Sequence, residues 1–209
     1  MFIGHFGLGL ASKKLNPFPS LAILFMAAQF LDLLWPIFCL LGLERFEIET
    51  GITQLTPLNF THYPYSHSLL MAIVWGLVFG LFYYFFTKNK PGSLLLAALV
   101  VSHWFLDLLV HRPDLPLTPF SDLKLGLGLW NFPVTESILE FALFLSGSIL
   151  YYKTVRPKRK ISFWLLTGSF VVIHLLNILG PPPPSINAVA WAANLTWLFV
   201  LWAWWIERK

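Results

Sequence analysis

Charge is scarce in this 209-residue chain: Asp, Glu, Lys and Arg make up 11% of it, against roughly 25% in an ordinary soluble domain. A soluble core of this length exposes most of its outer face to water and needs charge there. The deficit therefore excludes a soluble globular enzyme, a disordered chain and a nucleic-acid binder. Cysteine is nearly absent, with Cys39 alone inside an apolar run. That excludes an intrachain disulfide and a thiolate zinc site, so a metal here must be held by His, Asp or Glu. A secretory signal is also missing, because Lys13 and Lys14 follow the first short apolar stretch instead of preceding it. No internal repeat is found.

Apolar sequence is abundant. Hydrophobic residues reach 57% and the mean hydropathy is +0.69. A spanning helix needs about 20 mostly apolar residues. Six stretches qualify: 19–43, 66–87, 92–111, 133–152, 161–180 and 186–206. Residues 1–15 are too short to span and read as a re-entrant or interfacial segment. The expected fold is all-α: one polytopic transmembrane domain over residues 1–209, with six spanning helices plus that N-terminal segment. Four prolines, Pro181 to Pro184, make a stiff turn before the last helix.

Orientation follows from the basic residues. With six spans, Lys13, Lys14, Lys88, Lys90, Lys153, Arg156, Lys158, Arg159, Lys160, Arg208 and Lys209 fall on one side, and only Arg45, Arg112 and Lys124 on the other. The positive-inside rule places the first side, with both termini, in the cytoplasm of an inner membrane. Trp202, Trp204 and Trp205 fit an inner aromatic belt. The basic run 152–160 reads as this orientation signal, with an anionic-lipid site as the sharper alternative. The sequons at Asn59 and Asn194 read as chance.

Ionisable groups are costly at bilayer depth, at about 2.5–3.5 kcal/mol or more each, yet several occur. At about 1.5 Å per helical residue, Asp32, His103, Glu140 and His174 lie roughly 17–20 Å from the inner end of their helices, and Asp107 and Glu136 roughly 23–24 Å. His67 sits about one turn inside the outer end of its helix. These groups share the outer half of the membrane, and the inner half has almost none. His103 and Asp107 are four residues apart and so share a helix face, as do Glu136 and Glu140. His111 extends the first row if its helix lasts that far, and Pro113 predicts an end near there. Such pairs on facing helices supply metal ligands in helical bundles, and nitrogen with carboxylate oxygen suits Zn, Mn or Fe(II). Each pair has a plainer reading: an interhelical hydrogen bond for His103 and Asp107, an N-cap for the Ser66-His67-Ser68 run, a helix-dipole contact for Glu136, and a polar pair for His174 with Asn177.

Four pieces carry a resemblance: Gly4-His5, Asp32, the run Tyr63 to Leu69, and the run Ser102 to Asp114 with its His103, Asp107 and His111. Together they resemble the bacterial family of LexA-regulated, inner-membrane predicted metal-dependent hydrolases, over about the first 140 residues. A more distant likeness is to the ligand order of zinc-dependent phospholipase C and P1-type nucleases. It implies that His5, Asp32, His67, His103, Asp107 and His111 bind metal, with Glu136 and Glu140 in place of a final His and Glu. The N-terminal residue that helps bind zinc in those enzymes has no matching place here. The resemblance implies a divalent cation, zinc, with one to three ions.

The expected function is hydrolysis of a phosphoester or related bond in a lipid-like substrate by a metal-activated water, in the outer half of the membrane. Asp32, Asp114 or Glu140 would act as general base where it is not ligated to metal, and Arg112 would pair with a substrate phosphate. Residues 44–65 would form a lid, with His62 a contact to substrate or to a metal ligand. The alternatives are a metal- or proton-handling transporter and a non-catalytic metal-binding scaffold with a closed site. The expected partners are the lipid bilayer and the small lipid-like substrate. The sequence carries no signal of oligomeric state.

Overall fold

The computed structural model describes residues 1–208. Ten helices follow one another: α1 (Ile3–Ser12), α2 (Leu21–Ala28), α3 (Phe30–Leu40), α4 (Pro64–His67), α5 (Leu69–Thr87), α6 (Lys90–Val110), α7 (Pro133–Val155), α8 (Lys160–Leu179), α9 (Ile186–Asn194) and α10 (Thr196–Glu207). Five spans are long and apolar enough to cross a membrane, with α9 and α10 counted together. Residues 19–43 make a sixth only as a broken one, because α2 and α3 meet at 59°. The expected six spans thus hold in number only if the bent pair counts as one.

Local signals set the helix ends. The Ser20 side chain accepts from Ile23 N to begin α2, and Asn89 Oδ1 accepts from Gly92 N to begin α6. Helices α5 and α7 stop where Lys88 and Arg156 turn left-handed, at φ 56° and 50°. Ser68, in extended conformation, caps α5 by accepting from Met71 N. His67 therefore ends the separate turn α4, two residues before α5 begins, and does not sit in the first turn of α5.

The N-terminal segment, expected to be re-entrant or interfacial, forms a helix packed inside the bundle. Eight of the ten residues of α1 are buried. Glycine makes this possible: a Cβ on Gly7 would stand 2.6 Å from the Leu143 carbonyl oxygen, so α1 and α7 touch backbone to backbone. Gly147 of α7 faces Gly7 in the same way. Gly76 and Gly80 on α5 do likewise against Ala97 and Ser93 of α6, and Ser93 Oγ donates to Gly80 O at 2.6 Å. Close contact of this kind holds helices together where lipid removes the hydrophobic drive between them. Span length alone does not reveal such a helix, because α1, at ten residues, is too short to span and is held by its neighbours.

The two long connections are not purely irregular. Strand β1 (Arg45–Ile48) pairs antiparallel with β2 (Leu58–His62), and β3 (Leu115–Pro116) with β4 (Lys124–Leu125). They lean on each other, with Leu55 N donating to Trp130 O at 3.1 Å. At the opposite end of α1, Lys13 is buried and pairs with Glu207 Oε1 at 2.9 Å. Glu207 also accepts from Tyr151 OH at 2.9 Å and Leu21 N at 2.8 Å. The last helix thus ties α2, α7 and the end of α1 together. Between this knot and the polar end lies an aromatic core in which Phe6 and Phe170 have centroids 4.2 Å apart, and Phe170 and Phe199 4.5 Å.

Candidate metal centre

The break at Gln29 shapes the site. It leaves the Ala28 carbonyl free of a continuous helical ladder and starts α3 so that Asp32 lies in its first turn. His103 of α6 takes that carbonyl: its Nδ1 lies 2.8 Å from Ala28 O. A carbonyl only accepts, so the network assigns a proton to Nδ1, and in the neutral ring Nε2 keeps a lone pair. Nε2 is buried without a hydrogen-bond partner. It faces Asp107 Oδ2 at 3.1 Å and Asp32 Oδ2 at 3.7 Å.

Two more histidines join it. His67 Nε2 lies 3.4 Å from Asp32 Oδ1 and 3.7 Å from Asp107 Oδ2. His5, carried in by α1, stacks on His103 with centroids 3.6 Å apart and rings 3° from parallel, and its Nε2 lies 3.0 Å from Asp107 Oδ1. Ligand atoms of Asp32, His67 and His103 all lie within 4.8 Å of one another, as do those of His5, His103 and Asp107. Ligands about 2.1 Å from a tetrahedral zinc are about 3.4 Å apart, so the donor set and its spacing fit a divalent cation. The histidines and Asp107 are buried, whereas the Asp32 side chain is 33% exposed. The pocket opens past Asp32.

The other candidates lie outside these two groups and make other contacts. His111 caps α6 in extended conformation, which ends the four-residue row. Its Nδ1 lies 2.9 Å from Asp114 Oδ1. Asp114 also accepts from Tyr63 OH at 3.0 Å and from Arg112 Nε at 2.9 Å, and Arg112 holds Asn59 as well. Burial opposes the Asp114 charge, but these hydrogen bonds keep its carboxyl below the ordinary range. Burial, and the Asp114 charge beside it, push the Tyr63 phenol well up. Glu140 accepts from Phe2 N at 2.6 Å and Gly4 N at 2.8 Å, so it steadies the start of α1. Glu136 lies buried in the first turn of α7 with both oxygens unpartnered. His174 is buried against Phe2 and Phe141, away from the exposed Asn177 with which it was expected to pair. His62 is exposed on β2 beside Tyr65.

Three contributors were not read from the sequence. The Met1 amine donates to Asp107 Oδ1 at 2.7 Å. Glu44, 1% exposed, accepts from Tyr65 N at 2.9 Å, Ser66 N at 2.8 Å and Ser66 Oγ at 2.6 Å. Burial pushes its carboxyl up, and the Ser66 and Tyr65 hydrogen bonds pull against that. Ser66 Oγ in turn lies 2.7 Å from His67 Nδ1. Gln29, a polar residue inside an apolar run, was the one visible sign of the break; its Nε2 donates to Phe2 O at 3.2 Å.

A family model described as YdjM inner membrane protein matches residues 3–208. No curated protein and no solved structure matches, so these comparisons return no phospholipase C or P1-type nuclease.

Proposed function

The chain belongs to the YdjM inner membrane protein family, and on that premise we propose that it is a membrane-embedded, metal-dependent hydrolase of a phosphoester or related bond in a lipid-like substrate. The observation that carries the reading is His103 Nε2: a buried lone pair, fixed in place by a backbone carbonyl, that faces two carboxylates. A lone pair and two anions repel one another unless a cation lies between them. Asp32, His67, His103 and Asp107 would hold it, with His5 beside Asp107; zinc is the ion that this donor set suits. When bound, such a cation supplies Lewis acidity and a water acidic enough to attack near neutral pH.

The chain's own groups supply the rest. Asp32, the one partly open residue of the cluster, flanks the mouth, where it would take a proton from an incoming nucleophile when it is not itself a ligand. The Arg112 side chain, 31% exposed, is oriented by Asp114 and keeps guanidinium N–H groups for a substrate anion. The connections 44–65 and 112–132, each with its own strand pair, pack against each other at this end. The basic termini of α7 and α8 support an orientation with both chain ends in the cytoplasm and the site in the outer half of an inner membrane. A transport path would need polar groups along the bundle, but aromatic rings fill its interior between the site and Lys13, which favours a hydrolase.

The test is an assay of purified protein against phospholipids, lipid phosphates and thioesters, before and after chelation. Hydrolysis of one class, lost on chelation and restored by zinc, is expected. Cleavage that survives complete metal removal, or no cleavage of any class by zinc-loaded protein, would defeat the proposal.

A further inference from the structure

We infer that Glu44 is a positioning residue for the metal centre, acting through the Ser66 hydroxyl to fix His67 in the tautomer whose Nε2 lone pair faces Asp32 and Asp107. The inference rests on the metal reading above and assigns a role to a carboxylate that touches none of the ligands itself.

Glu44 lies four residues past the end of α3, and its amide bonds Phe38 O at 3.2 Å, so the side chain enters the bundle from a fixed point. An ionised carboxylate only accepts hydrogen bonds. One oxygen takes two backbone amides of α4, those of Tyr65 and Ser66, and the other takes Ser66 Oγ at 2.6 Å. A serine hydroxyl has one proton. Given to Glu44, that proton is not free for His67, and at 2.7 Å Ser66 Oγ offers His67 Nδ1 only a lone pair. The Nδ1 must therefore carry the hydrogen, and in the neutral ring Nε2 is bare. Nε2 stands 3.4 Å from Asp32 Oδ1 and 3.7 Å from Asp107 Oδ2, too far for good N–H···O bonds. The polarity of the relay runs one way, from His67 through Ser66 to Glu44. His103 obtains the same tautomer from the Ala28 carbonyl, so both rings present Nε2 to the same two carboxylates. Outer partners of this kind orient a ligand ring, and losing one lowers metal affinity by about 10–100-fold.

Glu44→Gln tests this with almost no change of shape. The amide oxygen keeps the two backbone contacts, and the amide nitrogen, a donor, replaces the oxygen facing Ser66. The hydroxyl proton then turns toward His67 Nδ1, and the ring proton moves to Nε2. The readout is nitrogen NMR of 15N-histidine-labelled, zinc-free full chain, with the signals assigned by a His67→Asn variant. The wild type should show a protonated Nδ1 on His67, and Glu44→Gln a protonated Nε2. Zinc titration of Glu44→Gln should give an affinity lower by about 10–100-fold. Ser66→Ala, which leaves Glu44 on its backbone amides, should abolish the single preference and weaken zinc similarly. It also serves if Glu44→Gln does not fold. An unchanged His67 tautomer in the folded variants, or unchanged zinc affinity in both, overturns the role of Glu44. The tautomer is read without metal, so a wild type with the stated tautomer and no zinc binding would refute the metal reading alone.

Discussion

Gly7 offers a quantitative test of how α1 delivers His5. In Gly7→Ala the new Cβ would stand 2.6 Å from Leu143 O and 2.7 Å from Phe144 Cα. Comfortable contact is about 3.5–4.0 Å, and both neighbours are backbone atoms that have little room to yield. Helix α1 must retreat by about 1 Å, or the strain stays in place. Overpacking of this kind costs about 1–3 kcal/mol, and for a chain of this size each kcal/mol lowers Tm by about 2–4 °C. The expected shift is therefore about 2–12 °C downward in a detergent-solubilised melt. His5 lies two residues away on the same helix and touches Asp107 at 3.0 Å, so the retreat also loosens zinc. Gly168→Ala is the control: its Cβ meets nothing within 4 Å, and alanine favours a helix over glycine by up to about 1 kcal/mol. It should melt at or slightly above wild type. Equal melting of Gly7→Ala and wild type, or an equal loss in Gly168→Ala, would refute the backbone contact as the seat of α1.

Other outcomes follow from the same contacts. Glu207→Gln leaves Lys13 buried without its charge partner; breaking a buried pair costs about 3–5 kcal/mol, visible as a Tm lowered by about 6–20 °C. Glu140→Ala removes two hydrogen bonds to the start of α1; a loss of about 0.5–2 kcal/mol is expected, with faster amide hydrogen exchange at Phe2 and Gly4. Glu136→Gln should leave zinc stoichiometry unchanged by elemental analysis, because the grouped ligand atoms do not include it.

The spans were legible because bilayer thickness demands runs of about 20 apolar residues, and such runs announce themselves. His103 and Asp107 were legible because a four-residue spacing puts two side chains on one helix face whatever the neighbours do. The break in residues 19–43 was not, because apolar residues continue on both sides of Gln29 and one polar side chain does not by itself end a helix. Its consequence, a carbonyl turned toward His103, depends on packing between helices distant in sequence. Glu44 lies at the head of a long connection, where a carboxylate ordinarily points to water; only the fold of α4 beneath it makes it buried. Lys13 misled in the same manner. It counts toward the positive-inside bias, yet it is held in the interior by a residue almost two hundred positions away, Glu207.

The most direct measurement is elemental analysis of the purified chain, wild type beside Asp107→Asn. Asp107 faces His5, His67 and His103 at once, so one substitution weakens every part of the pocket while keeping its volume. The account predicts at least one divalent cation per wild-type chain, and its loss in a variant that is still expressed and folded. Full metal content in the variant would contradict the assigned site, and a wild type that binds no cation after zinc loading would contradict the metal centre itself.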